Sequence, residues 1–342
     1  MLPATRPFRS DDEIDRENRD IVEEFAEQAD VVDSTRAKYR VQLAEFRSWL
    51  NHPRVLSAGA PAKLLVDADA RDVQRFMSYL RQPDRFAASE HAATGRVLSA
   101  SSRKNFFGSL RSFFSFVVRM RLAAFDPTAG IRAPRVSIPP GLRLSAREMR
   151  LLLDAPGSSR ERVAAYLLAY TAARAGSLRN LRWHDIDFQR REIQLVGKRD
   201  KVLVLHIHPR LMTELRRWFI QQELDAQRCP GIREAKERAD TDFVLLTKSG
   251  KQLAPNVITQ ELKARATRVG LHLRDDAPDP RRSSRVSAHT LRRSVASLLL
   301  NEGMPIDAVA DMLNHDRVDT TRKHYAFSSS ERQRFTVEAI SL

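Results

Sequence analysis

Near its C-terminus the sequence reads LNHDRVDTTRKHYAF, residues 313 to 327, and sets one tyrosine, Tyr325, among His315, Arg317, Arg322, Lys323 and His324. A phenol with a pKa of about 10 is a poor nucleophile at neutral pH, and tyrosine acts covalently only when its surroundings help it. Cutting a phosphodiester with a side-chain nucleophile needs fixed cations around the two non-bridging oxygens, where charge builds in the transition state. Two arginines bracket those oxygens best, because each guanidinium is always charged and offers paired donors. The departing sugar oxygen also needs a proton, which a lysine or histidine can supply. Such parts lie scattered along this chain. Arg174 stands in TAARAGSLRNLRW, Lys198 in VGKRDK, His289 and Arg292 in HTLRRS, and His315 ten residues before Tyr325. Each has an ordinary reading too: an arginine neutralised by an acid, a solvated turn lysine, a surface H-x-x-R pair, a helix-end histidine. None decides the matter singly.

The elements that must position these residues fall into two groups. From residue 31 to about 135 the pattern is helical: Tyr39, Leu43, Phe46 and Leu50 recur at helical spacing, with Asp33 or Ser34 available as cap. Val73, Phe76 or Met77, and Leu80 repeat the device, as do Phe106, Leu110, Phe113 or Phe114, and Val117. Aromatic stripes at that spacing are core, which leaves Arg103, Lys104, Arg111 and Arg119 for phosphates. Residues 126 to 143, DPTAGIRAPRVSIPPGLR, concentrate proline and glycine before a capping box from Ser145 to Glu148, and read as a linker. Beyond it the period changes. Ile193 and Leu195, then Leu203, Leu205 and Ile207, alternate about GKRD as a hairpin; DFVLLTKSG reads as a third strand; helices resume from about Pro255; and residues 274 to 285 read as a flexible loop. His289 and Arg292 lie one helical turn apart and so share a face. The fold class expected is mainly α with a small antiparallel β-sheet.

Charge narrows the partner. The chain of 342 residues has 58 Lys+Arg against 43 Asp+Glu, a net +15. Residues 1 to 30 hold ten acids against four arginines, so the body beyond them carries about +21. A body that basic expects a polyanion, and its cations run through folded segments, unlike the concentrated basic helix or tail of a membrane binder. No apolar run approaches the roughly 18 to 20 residues a bilayer needs, and no signal peptide is evident, so a cytoplasmic protein is expected. The single Cys229 excludes an internal disulfide and a Cys-rich zinc module.

Taken in order, the six chemically apt residues resemble the signature of the tyrosine recombinases, or phage-type integrases: an Arg in T-G-x-R-x-x-E-L, a hairpin Lys, H-x-x-R, a His in L-G-H, and a Tyr nine or ten residues on. Here these are Arg174, Lys198, His289, Arg292, His315 and Tyr325. Ala172, Ser177 and Asn314 replace the usual Gly, acid and Gly, and His324 fills the nearer tyrosine slot. Tyr39, Tyr79, Tyr166 and Tyr170 lie far from the motif on helix faces, so Tyr325 is the sensible nucleophile. The resemblance implies that Tyr325 attacks a DNA phosphorus to form a 3′-phosphotyrosyl bond. It further implies that Arg174 and Arg292 clamp the phosphate with His315 assisting, that Lys198 protonates the leaving 5′-oxygen, and that His289 accepts a proton or donates to phosphate. No metal or cofactor is implied. The implied organisation is an acidic extension over 1–30, a helical core-binding domain over 31–133, a linker over 134–143, a catalytic domain over 144–328 and a subunit-contact tail over 329–342. The partner would be double-stranded DNA bearing a recombination site, with a homo-tetramer holding two duplexes. A type IB topoisomerase and a non-catalytic DNA-binding protein are the alternatives.

Overall fold

The computed structural model describes residues 9–57, 59–86, 97–136, 141–197, 201–238, 241–275 and 279–313. The chain divides into two compact units, Met1–Ile138 and Pro139–Leu342. Each has its own apolar core. Among the described residues no helix is long and apolar enough to cross a membrane.

The first unit is built from α1 (Asp11–Gln28), α2 (Asp33–Leu50), α3 (Ala70–Tyr79) and α4 (Ala100–Arg119). The acidic segment, expected to lie ahead of the first core, is an amphipathic helix packed into it. Ser10 and Glu13 close a capping box at its start, and Asp11, Asp12 and Glu13 sit at the positive end of the helix dipole. Its inner residues Val22 and Phe25 join the core, where Phe25 meets Phe113 edge-on with ring centroids 5.6 Å apart. Some of its acids serve arginines of α2: Asp15 pairs with Arg47 at 3.2 Å and Glu23 with Arg40 at 2.7 Å. In α2, Leu43, Phe46 and Leu50 are buried as their spacing demands. Its cap differs from expectation. Val32 takes the cap position without a side-chain bond, and Asp33 is committed to Arg36 at 3.0 Å within the first turn. Phe76 fills the core while Met77 packs at its edge, and α4 buries Phe106, Leu110, Phe113, Phe114 and Val117.

In the second unit α5 (Ala146–Asp154) starts at the Ser145–Glu148 capping box. Next come α6 (Ser159–Thr171) and α7 (Ala175–Asn180), then β1 (Ile186–Asp187), β2 (Glu192–Val196) and β3 (Val202–His206). The unit continues with α8 (Pro209–Arg228), α9 (Pro230–Glu237), α10 (Val257–Arg268), α11 (Ala288–Asn301) and α12 (Ile306–Met312). Val163 to Ala169 of α6 are all buried, because α5, α8, α10 and α11 pack around it. That is why its sequence reads as an unbroken apolar run. The hairpin forms in the register the alternation requires, Ile193 opposite Leu205 and Leu195 opposite Leu203, in an antiparallel sheet ordered β1-β2-β3.

Two expectations fail here. The third strand is β1, and the DFVLLTKSG segment makes only isolated bridges, Arg182 with Phe243 and Leu246 with Gln252. Val244, Leu245 and Leu246 are buried without alternation, and the Val244 carbonyl accepts from Trp218 Nε1 (2.6 Å) and Gln222 Nε2 (3.0 Å). Side chains of α8 thus satisfy a backbone that a ladder would otherwise pair. Likewise residues 279–285 are anchored: Pro280–Arg282 form a 3₁₀ turn, and buried Ser284 donates to the Leu271 carbonyl at 2.7 Å.

Candidate active site

Helix α6 ends at Ala172, whose φ of 49° turns the chain left-handed and ejects it from the helix axis. Glycine normally takes that conformation, and an alanine there costs roughly 1 to 2 kcal/mol of local strain. Two residues later Arg174 caps α7, half-buried, and among the described residues it makes no ion pair with an acid. Among the described residues, the ordinary reading of Arg174 as a neutralised structural arginine finds no acid.

Arg292 comes from α11 and is only 6% exposed. Its guanidinium donates to the Ala172 carbonyl at 2.7 Å and to the Leu313 carbonyl. One side chain thus fastens the turn that delivers Arg174 to the end of α12, two residues before His315 in sequence. The hairpin closes the arrangement. Arg174 and Ser177, Gly197 beside Leu195 and Leu203, and Arg292 beside Met312 line one small pocket. Gly197, the residue before Lys198 in sequence, donates its N–H to the Lys201 carbonyl at 2.8 Å.

His289 stands one turn before Arg292 at the start of α11. Its pKa lies below the ordinary histidine value, through desolvation first and then through the charges of Arg293, Arg292 and Arg174. His289 keeps exposed surface, so solvent moderates both causes. Both act in one direction. The site therefore holds a neutral imidazole at pH 7 beside three arginines, a field that favours an anion. In the free protein the His289 ring, followed by NMR, is expected to titrate below about 6.5. Unfolded chains take up that proton first as pH falls, so stability contributed by neutral His289 is complete above about pH 6.5 and declines below it. Bound phosphodiester should raise the midpoint again. A midpoint at or above the free-histidine value without DNA would refute the cationic cluster.

Lys198, His315 and Tyr325 lie outside the described residues. Of the cations assigned to phosphates, Lys104 and Arg111 are exposed on α4. Arg111 stacks over Phe107, 4.8 Å from its ring centroid, and donates to the Ile131 carbonyl at 3.2 Å. Arg103 is placed differently: it is half-buried and donates to the Leu98 carbonyl at 2.7 Å, back at the start of its own helix. Sequence reasoning passed over Arg293, which adds to the charge on His289. Its adjacency to Arg292 in HTLRRS was the signal available.

The Phage integrase family matches residues 143–332, more than half of the chain. The chain belongs to that family. Tyrosine recombinase XerC of Roseiflexus castenholzii is 29% identical over 304 residues, covering 87% of this chain and 84% of that protein. Among solved structures, the XerH site-specific recombinase in a post-cleavage complex with its palindromic difH substrate superposes with a TM-score of 0.64 at 19% identity, covering 90% of this chain and 80% of that one. A lambda integrase tetramer bound to a Holliday junction gives a TM-score of 0.60 at 16% identity, over 91% of this chain and 77% of that one. At such identities the structures establish the shared fold. This tyrosine recombinase is thus an enzyme of DNA strand cutting and rejoining, mainly α with one three-stranded antiparallel sheet.

Proposed function

We propose that the chain recombines DNA at a specific site by attack of Tyr325 on a backbone phosphorus, with a 3′-phosphotyrosyl bond holding the broken strand until a second 5′-hydroxyl attacks. The observation that carries this reading is Arg292, which fixes the Ala172 turn before Arg174 and the Leu313 carbonyl before His315 with one guanidinium. The side chain that organises the pocket is an arginine, whose planar and always-charged fork matches the geometry of a phosphate. Arg174 and Arg292 bracket the non-bridging oxygens, and His315 assists. His289, neutral at pH 7, accepts the phenol proton of Tyr325. Lys198, one residue past Gly197 of the pocket lining, protonates the departing 5′-oxygen. Bond energy is kept in the phosphotyrosine, so exchange is reversible.

The likeness in fold to a recombinase tetramer on a Holliday junction supports four copies acting on two duplexes, with residues 329–342 contacting a neighbouring subunit. The cytoplasm, where its DNA would be met, is the proposed location. A nicked duplex whose short cleaved end diffuses away tests the reaction: covalent protein–DNA adduct is expected, together with strand exchange between two duplexes. Trapping without exchange would indicate a nicking-closing enzyme, and binding without trapping a non-catalytic protein.

A further inference from the structure

The outer face of α4 carries an unexplained residue. Gly108 lies in the middle of this 20-residue helix, exposed, with ordinary helical backbone. Glycine is a poor helix former and usually marks a positive φ or a close neighbour. Neither applies among the described residues: φ is ordinary, and a Cβ built at Gly108 meets none of them within 4 Å. Packing among the described residues therefore gives no reason to keep this position bare.

What surrounds it suggests the reason. At 100° per residue, Lys104, Asn105, Arg111, Ser112, Ser115 and Arg119 all fall within about 60° of Gly108, on the side away from the phenylalanine core. No residue of α4 is acidic. Its cations are held in place, Arg111 over Phe107 and Arg119 over Phe116 with 5.7 Å to the ring centroid. A cationic face with hydrogen-bonding side chains and a bare centre matches a polyanion that must come close to the helix backbone. We infer that Gly108 is the point of closest approach between α4 and double-helical DNA, and that its missing side chain sets how deeply the helix seats. The inference rests on the recombinase reading and adds to it a positioning residue without charge or catalytic function.

The test separates sterics from charge by an opposition of sign. In the full-length protein, Gly108→Ala and Gly108→Leu improve helix propensity and should raise the melting temperature of the first unit by roughly 2 to 6 °C. Affinity for the duplex that wild-type protein selects from a random-sequence pool should fall, about tenfold or more for Gly108→Leu and less for Gly108→Ala, comparable to a lost base-pair contact. The salt dependence of binding should keep its slope in both, since no phosphate contact by a charge is removed. Lys104→Ala, in contrast, should lower that slope by about 0.9. Wild-type affinity in Gly108→Leu overturns the inference while a changed slope in Lys104→Ala leaves the DNA reading standing. A fall in melting temperature for both Gly108 variants would show an internal need for glycine and overturn it as well. Intact single-duplex binding with lost association of two copies would reassign the face to protein contact. Wild-type protein that selects and binds no duplex would overturn inference and recombinase reading together.

Discussion

Tyr325→Phe is expected to abolish the covalent protein–DNA adduct completely while leaving DNA binding within error of the wild type. The substitution removes one hydroxyl and no charge at neutral pH, so the electrostatic contribution that dominates binding is untouched. Arg292 is held by the Ala172 and Leu313 carbonyls, and Arg174 is delivered by the Ala172 turn. On the proposed mechanism, what disappears is the atom that would form the bond to phosphorus, and the arginines of the pocket offer no substitute: arginine is protonated at any accessible pH, and an exposed water has no fixed approach. Denaturing gel electrophoresis of a nicked substrate would register the adduct, and equilibrium titration at fixed salt the binding. Cleavage retained by Tyr325→Phe would move the nucleophile elsewhere, and His324, one residue earlier, would be the first position to try.

How much of this could be read from residues alone depended on whether a signal was local. The helices of the first unit announced themselves because Leu43, Phe46 and Leu50, or Phe106, Leu110 and Phe113, repeat with the period of a helix that buries one face. The β2–β3 hairpin did the same with period two. The failures share a cause: non-local partners. Val244 to Leu246 look like a strand by apolar content, yet Trp218 and Gln222, some twenty residues earlier, take up the Val244 carbonyl. The acidic residues of α1 drew attention as a charged extension, and the sparse Val22 and Phe25 that dock it were overlooked. In the site, residue types and order pointed to Arg174, His289 and Arg292, and the structure brings these three together. The means remained hidden. No local pattern reveals that one guanidinium spans 120 residues to Ala172 and 21 to Leu313, because a hydrogen bond to a backbone carbonyl places no demand on the type of the accepting residue.

Lys198→Ala is expected to slow cleavage of an ordinary DNA strand by about 10² to 10⁴, the usual worth of a general acid, with little loss of binding. Val202 pairs with Val196, and Gly197 binds the Lys201 carbonyl, so the described framework on either side of residues 198–200 is set by backbone bonds that the substitution leaves alone. Gly197, the residue before Lys198 in sequence, lines the pocket that holds Arg174 and Arg292. An alkoxide is a poor leaving group and needs its proton as the bond to phosphorus breaks. A thiolate does not. A strand carrying sulfur at the bridging 5′ position should accordingly be cleaved by Lys198→Ala at close to the wild-type rate, because the step the lysine assists is no longer difficult. The comparison separates two roles that a simple loss of activity would confound. If Lys198 served to stabilise charge on the non-bridging oxygens, that charge would build with either leaving atom, and the variant would be slow on both strands. Equal losses on oxygen and sulfur would therefore transfer Lys198 to the phosphate clamp and leave His289 or His315 as the proton donor to be tested by the same substrate.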